Sequence, residues 1–143
     1  MGGVTYNNVQ KYRFESYFWQ SLAADSAAYF DIDGTWLRIQ RSPIHGLGLF
    51  ARQAYATNDT IVLVFKRIGS GTNFYNDFME TIYGSFINDD LAAANCIAVL
   101  APDGIYLQAK QPVESGQELN CDYRQLIALF PSDTSVELTI KYW

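Results

Sequence analysis

Ser85-Phe86-Ile87-Asn88-Asp89-Asp90-Leu91-Ala92-Ala93-Ala94-Asn95-Cys96 decides how the rest of this chain is read, taken with Glu118-Leu119-Asn120-Cys121-Asp122-Tyr123. Phe86-Ile87 is an apolar pair expected to be buried. Asn88, Asp89 and Asp90 then place three polar side chains where the chain leaves that burial. A buried amide or carboxylate is costly without partners, so the juxtaposition points to a ligand or to a turn. On this stretch alone an Asx-type turn capping a strand is the stronger reading, because Asn and Asp bond readily to nearby backbone.

A third segment changes the balance. Ile44-His45-Gly46-Leu47-Gly48-Leu49-Phe50-Ala51 comes first in the chain. Phe86-Ile87-Asn88 with Asn95-Cys96 follows, and Gly116-Gln117-Glu118-Leu119-Asn120-Cys121-Asp122-Tyr123 closes the series. This order and spacing resemble the SET domain of protein lysine methyltransferases, which typically reads HGxGLFA, then RFINHxCxPN, then GEELxxDY. The resemblance spans roughly Trp36 to Arg124, and three ordered motifs are far more specific than any one of them.

The resemblance implies a mainly β fold, a SET-type β-clip of small sheets with a C-terminal pseudoknot in which the Asn88 and Tyr123 segments thread together. An N-terminal amphipathic helix is expected to pack on it. Residues 1–143 then read as a single domain, with a helical extension at about 6–30, a family core at about 36–124 and a C-terminal extension at 125–143. The implied cofactor is S-adenosylmethionine, held by His45, Gly46, Leu47, Gly48, Asn88 and Asp89. Tyr123 corresponds to the catalytic tyrosine, and Tyr83, Tyr106 and Cys121 are expected to line the substrate-lysine channel. Cys121 stands where the family often has Phe or Tyr. A small side chain there leaves room for a bulkier methylated amine, and plain core filling is the competing reading. No metal is implied, and the cysteines of the family's zinc-binding flanks have no counterpart. Tyr142-Trp143, or an equivalent residue from a second subunit in a homodimer, is expected to close the channel, with core packing the alternative for Tyr142.

The chain also departs from the family pattern. Asp89 stands where the family has histidine, Ser85 where it has arginine and Ala94 where it has proline, and Asn95-Cys96 falls one residue late. These departures keep a second reading open: a catalytically inactive SET-like module that binds a peptide or protein partner.

Composition sets the outer limits. A chain of 143 residues, 49% hydrophobic and 17% charged, is long and apolar enough for one globular core. Its net charge of −5 argues against nucleic acid, since phosphate binding needs a basic face, and suits a lysine-bearing protein substrate with a basic tail. Cys96 and Cys121 are the only cysteines. They cannot build a four-thiolate zinc site, and without a signal peptide in Met1–Thr5 they read as free thiols in an intracellular, reducing compartment. No apolar run is long enough to span a bilayer, so no membrane partner is expected.

Along the chain, Asn8 to Ala28 lacks Gly and Pro and carries Phe14, Tyr17, Phe18 and Leu22 at helical spacing. Asp31–Gly34 is a turn signal, and Trp36–Arg41 alternates as a strand with Trp36 and Ile39 on opposite faces. His45 reads as a turn residue with a local hydrogen bond. Thr57–Asp59 is a turn. Thr60–Phe65 is continuous and β-branched, which predicts a strand buried on both faces. Gly69–Asn73 reads as a flexible loop. Phe74–Tyr83 reads as a short helix or irregular aromatic segment, with Asn76, Asp77 and Glu80 on a solvated face. Ile97–Leu100 and Ile105–Lys110 form a hairpin about Pro102-Asp103. Pro112–Gly116 is a turn, Leu126–Phe130 a helical turn, and Val136–Tyr142 a strand.

Methyl transfer from a sulfonium to an amine is a direct displacement. It needs a neutral amine, an in-line methyl and no bulk water. Free lysine has a pKa near ~10.4, and an apolar channel beside a cation lowers it. Positioning and electrostatics then carry the reaction, so no acid–base triad is expected.

Overall fold

A computed structural model describes residues 16–130. Among them the chain forms nine strands and a few short helices, the mainly β class expected. The strand predicted at Val136–Tyr142, the residues Tyr142-Trp143 and the helical positions before Ser16 lie outside the described residues.

Helix α1, Ser16–Ala24, packs on the sheet. Leu22 is buried, and the Trp19 ring meets Phe30 edge-on at 5.8 Å and Phe86 at 4.9 Å. The helix stops earlier than the Gly- and Pro-free run suggested. Asp25 Oδ1 accepts the Ala27 N–H at 2.9 Å and turns the chain, a local bond that competes with helix continuation. Strand β1, Tyr29–Asp31, follows within what the sequence read as helical extension. It pairs antiparallel with β2, Leu37–Arg41, across the expected turn. In β2 Leu37 and Ile39 are buried, whereas Trp36 just before it is exposed beneath the Arg52 guanidinium.

Strand β3, Leu47–Ala51, is buried throughout and lies between β2 on one edge and β9, Glu118–Cys121, on the other. Strands β4, Thr60–Arg67, β5, Phe78–Glu80, β7, Cys96–Ala101, and β8, Gly104–Ala109, make the other half. The order runs β1-β2-β3-β9-β7-β8-β4-β5, with the two-residue β6, Asn88–Asp89, beside β9. Strand β9 is therefore the hub. It is antiparallel to β3 and parallel to both β6 and β7.

Two expectations about the second half are corrected. Only Val64 and Phe65 of β4 are buried, and Thr60 is exposed. Strand β5 pairs only with Phe65–Arg67, which leaves the first half of β4 as a sheet edge. The loop at residues 69–73 is tied rather than loose. Asp77, in the helix α2 at Phe74–Asp77, accepts the N–H groups of Asn73 at 2.8 Å and Thr72 at 3.0 Å and the Ser70 hydroxyl at 2.9 Å. These donors, the Asn73 N–H foremost, hold its carboxyl below the usual range. Among the described residues no helix is long and apolar enough to cross a membrane, which says nothing of a span built from strands.

Candidate functional site

Three bends meet around β9. The first lies between β2 and β3. The Ser42 N–H donates to Gly46 O at 2.7 Å, closing a loop in which Gly46 has φ +48°, a conformation that favours glycine. Ser42 Oγ accepts the N–H of Ile44 at 2.9 Å and of His45 at 3.4 Å. His45 is thus a turn residue with a local hydrogen bond, as its sequence context suggested, and it is exposed.

The second bend is Ile87–Asp90. Asn88 is 2% exposed. Its amide nitrogen donates to the carbonyl oxygens of His45 and Leu47, each at 3.1 Å, and to Glu118 Oε2 at 2.8 Å. Three acceptors converge on one NH2 group. Its Oδ1 accepts no hydrogen bond from the described residues. The Asx turn that the sequence allowed belongs to Asp90, whose Oδ1 accepts the N–H groups of Ala92 and Ala93 at 3.2 and 3.0 Å.

The third bend follows β9. Asp89 Oδ1 accepts the Tyr123 N–H at 2.8 Å, and the Tyr123 hydroxyl donates to the Ile87 carbonyl. Tyr123 is therefore fastened to the Asn88 segment at both its backbone and its ring. Burial, then the acidic groups around it, push its phenol well above the ordinary tyrosine value. At neutral pH it is a fixed hydrogen-bond donor and no base.

The other channel candidates separate. Cys121 is buried on β9, beside Asp89 on β6 and Cys96 on β7. Both cysteines are free, and burial pushes the Cys96 thiol up to about 12 and the Cys121 thiol higher. Tyr83 is half-buried and leads into the 3-10 turn Gly84–Phe86, four residues before Ile87. Tyr106 does not join this group. It lies three residues along β8 from Ala109, the level at which Cys96 meets Cys121, about 10 Å of strand. It shares a face with Gln108 rather than with the buried Ile105 and Leu107, and its hydroxyl donates to Asp103 at 2.6 Å on the hairpin tip.

Several residues that sequence reasoning did not single out hold the bends together. Glu118 is half-buried and accepts both Asn88 Nδ2 and the Ser42 hydroxyl, the latter at 2.7 and 2.9 Å. Burial raises its carboxyl above the usual range against the pull of Asn88 and Ser42. A Cβ on Gly48 would stand 2.3 Å from Glu118 Oε2, so the glycine makes room for this carboxylate. Asn95 and Asn120 exchange bonds: each side-chain Oδ1 accepts the other's N–H, at 3.0 and 3.1 Å. Asn95 Nδ2 also donates to Glu118 O at 2.8 Å. Glu80, read from sequence as solvated, is 2% exposed and accepts the Ser85 hydroxyl at 2.8 Å. Alternation on β5 turns it inward with Phe78. The available signal was a polar residue inside an apolar motif, which by itself does not say where its partner is. Among the described residues no group of three or more His, Cys, Asp or Glu is gathered for a metal ion.

No protein-family model matches the chain, and no curated protein matches it in sequence. Solved structures match it in fold. One is the crystal structure of a Plasmodium falciparum protein named as a candidate histone methyltransferase, with a TM-score of 0.51 and 15% identity over 62% of this chain and 93% of that one. The likeness shows the fold: a mainly β arrangement consistent with the SET type.

Proposed function

We propose that residues 1–143 form a single SET domain acting as a protein-lysine methyltransferase that uses S-adenosylmethionine. The observation that carries this reading is the joining of three bends through Asn88. Its amide is fixed by His45, Leu47 and Glu118, while the adjoining Asp89 and Ile87 hold Tyr123. The fold likeness to a methyltransferase-named structure supports the same class of activity.

The residues present fit the cofactor. Asn88 Oδ1 is an acceptor of the kind an amino-acid ammonium needs. Gly46 is exposed and has no side chain to cover the backbone of the first bend. When bound, S-adenosylmethionine supplies an electrophilic methyl group on a sulfonium. His45, Gly46, Leu47, Gly48 and Asn88 would hold it, and Asp89 would act through its grip on Tyr123. The chain's own contribution to the reaction is placement. Tyr123 stays a neutral phenol: its one hydrogen goes to the Ile87 carbonyl, and its oxygen lone pairs orient groups near it as acceptors without taking a proton. Burial around Tyr123 and Cys121 favours a neutral lysine amine over an ammonium, and the proton leaves to solvent before transfer. Tyr83 and Cys121 stay in the proposed channel. Tyr106 is left out of it because its hydroxyl is turned to Asp103.

The proposed substrate is a lysine-bearing protein segment with basic character, for which the net charge of −5 is suited. The inactive-module alternative has one specific observation in its favour: Asp89, at the family's histidine position, spends a carboxylate oxygen on the Tyr123 N–H. Calorimetry with S-adenosylmethionine separates the two, since the module predicts no heat of binding. Incubating cell extract with labelled cofactor and mapping the modified lysines then tests transfer; a protein that binds cofactor but labels no lysine defeats the enzymatic reading.

A further inference from the structure

We propose that Glu118 is a positioning residue whose carboxylate decides which end of the Asn88 amide is left for the donor's ammonium, an assignment that rests on the cofactor reading above. An ionised carboxylate can only accept hydrogen bonds. Glu118 Oε2 lies 2.8 Å from Asn88 Nδ2, so the amide must turn its NH2 group toward β9 and its Oδ1 away. The His45 and Leu47 carbonyls reinforce that orientation from the opposite segment. The acceptor left over for an ammonium is therefore set from the protein side.

The same carboxylate sets a second group. The single hydrogen of the Ser42 hydroxyl is committed to Glu118. That leaves the Ser42 lone pairs facing back to accept the Ile44 and His45 N–H groups. One anion thus fixes a hydroxyl rotor and an amide flip, and both fix the bend at Gly46. Gly48 is part of the device, because a Cβ there would occupy the place of Oε2. Charge is what makes the arrangement directional. A neutral amide at position 118 could offer either an oxygen or an NH2 group, and the instruction to Asn88 would be lost.

The test compares two probes on wild type and Glu118→Gln. S-Adenosylmethionine carries the ammonium, and 5′-methylthioadenosine lacks the amino-acid end. Calorimetry is expected to show Glu118→Gln weakening S-adenosylmethionine by about ten- to a hundredfold, the range for a lost charge-assisted hydrogen bond, while methylthioadenosine binds as before. A general loss of structure would weaken both and would overturn the assignment. The Asn88 side-chain amide resonances of the ligand-free protein are expected to move in Glu118→Gln, and resonances that stay at their wild-type positions would overturn the assignment. Ser42→Ala is the milder variant should Glu118→Gln fold poorly. It is expected to weaken S-adenosylmethionine severalfold by loosening the Gly46 bend, and equal binding by Ser42→Ala and wild type would overturn the role given to the hydroxyl. Wild-type protein that binds S-adenosylmethionine alongside an indifferent Glu118→Gln overturns the assignment alone. Wild-type protein that binds neither probe overturns the cofactor reading and this assignment with it.

Discussion

At the scale of single residues, Tyr123 and Gly48 give the sharpest expectations. Tyr123→Phe removes a hydroxyl that donates to the Ile87 carbonyl. It leaves that carbonyl without this donor, at a cost of about 1–3 kcal/mol in stability. If the phenol oxygen orients the reacting groups, turnover falls by roughly 10²–10³, the scale for losing one preorganised hydrogen-bonding group, with cofactor affinity retained. Calorimetry paired with single-turnover labelling checks this, and turnover equal to wild type would dismiss the hydroxyl's role. Gly48→Ala forces a Cβ to within 2.3 Å of Glu118 Oε2. The carboxylate must move off Asn88, which loses that acceptor. A loss of about 1–3 kcal/mol, as for overpacking, should appear as a lowered midpoint in chemical denaturation. A variant as stable as wild type would mean that the carboxylate has another place to go.

At the scale of elements, the strands show how short pieces are held by side chains standing in for backbone. Helix α3, Arg124–Leu129, follows Tyr123 directly. Gln125 pins it to β7: Oε1 accepts the Ala98 N–H and Nε2 donates to the Ala98 carbonyl, both at 2.7 Å. The amide extends the sheet where β9 has already ended, since β9 meets β7 only at Cys96. Gln125→Ala therefore opens two half-buried backbone groups. A cost of about 1–3 kcal/mol is expected, with faster hydrogen exchange at the Ala98 amide and little change at Leu119. Uniform acceleration across both amides would show that α3 is not fastened locally. Many of the elements themselves were legible. The β7–β8 hairpin, the turns near Asn58 and Gly116 and the helical turn after Arg124 are each written in local residues. Strand β5 and the burial of Glu80 were not, because both depend on pairing with β4 rather than on anything nearby in the chain.

At the scale of the whole molecule, two measurements report on how closed the β9 hub is. Cys96 and Cys121 are buried neighbours with raised thiol values, so both should resist an aromatic disulfide reagent near pH 8 and react together once denaturant unfolds the chain. Rapid modification of Cys121 in native protein would contradict the packed hub. The raised Glu118 carboxyl gives a pH signature. Burial, with Asp90 adding to it, opposes the charged form, while Asn88 and Ser42 favour it. The folded protein therefore holds this proton to higher pH than the unfolded chain does. The contribution is fully present below the ordinary value of 4.5 and is lost as pH rises through the raised one. Glu118→Gln should flatten that part of the stability profile, measured as denaturation midpoint against pH; an unchanged slope would place the titration elsewhere. By itself the sequence determined the class of fold, the order of the three bends and the residues Asn88 and Tyr123 as their polar contents. It did so through the ordered resemblance of three motifs to a known family, which local turn physics at Asn88 alone did not supply. Tertiary structure alone decided that Asn88 turns its nitrogen to Glu118, that Ser85 answers Glu80, and that Tyr106 points to the hairpin tip instead of the hub. Those outcomes depend on which strands lie side by side, and a buried polar group can be satisfied only by what the fold brings within hydrogen-bond reach.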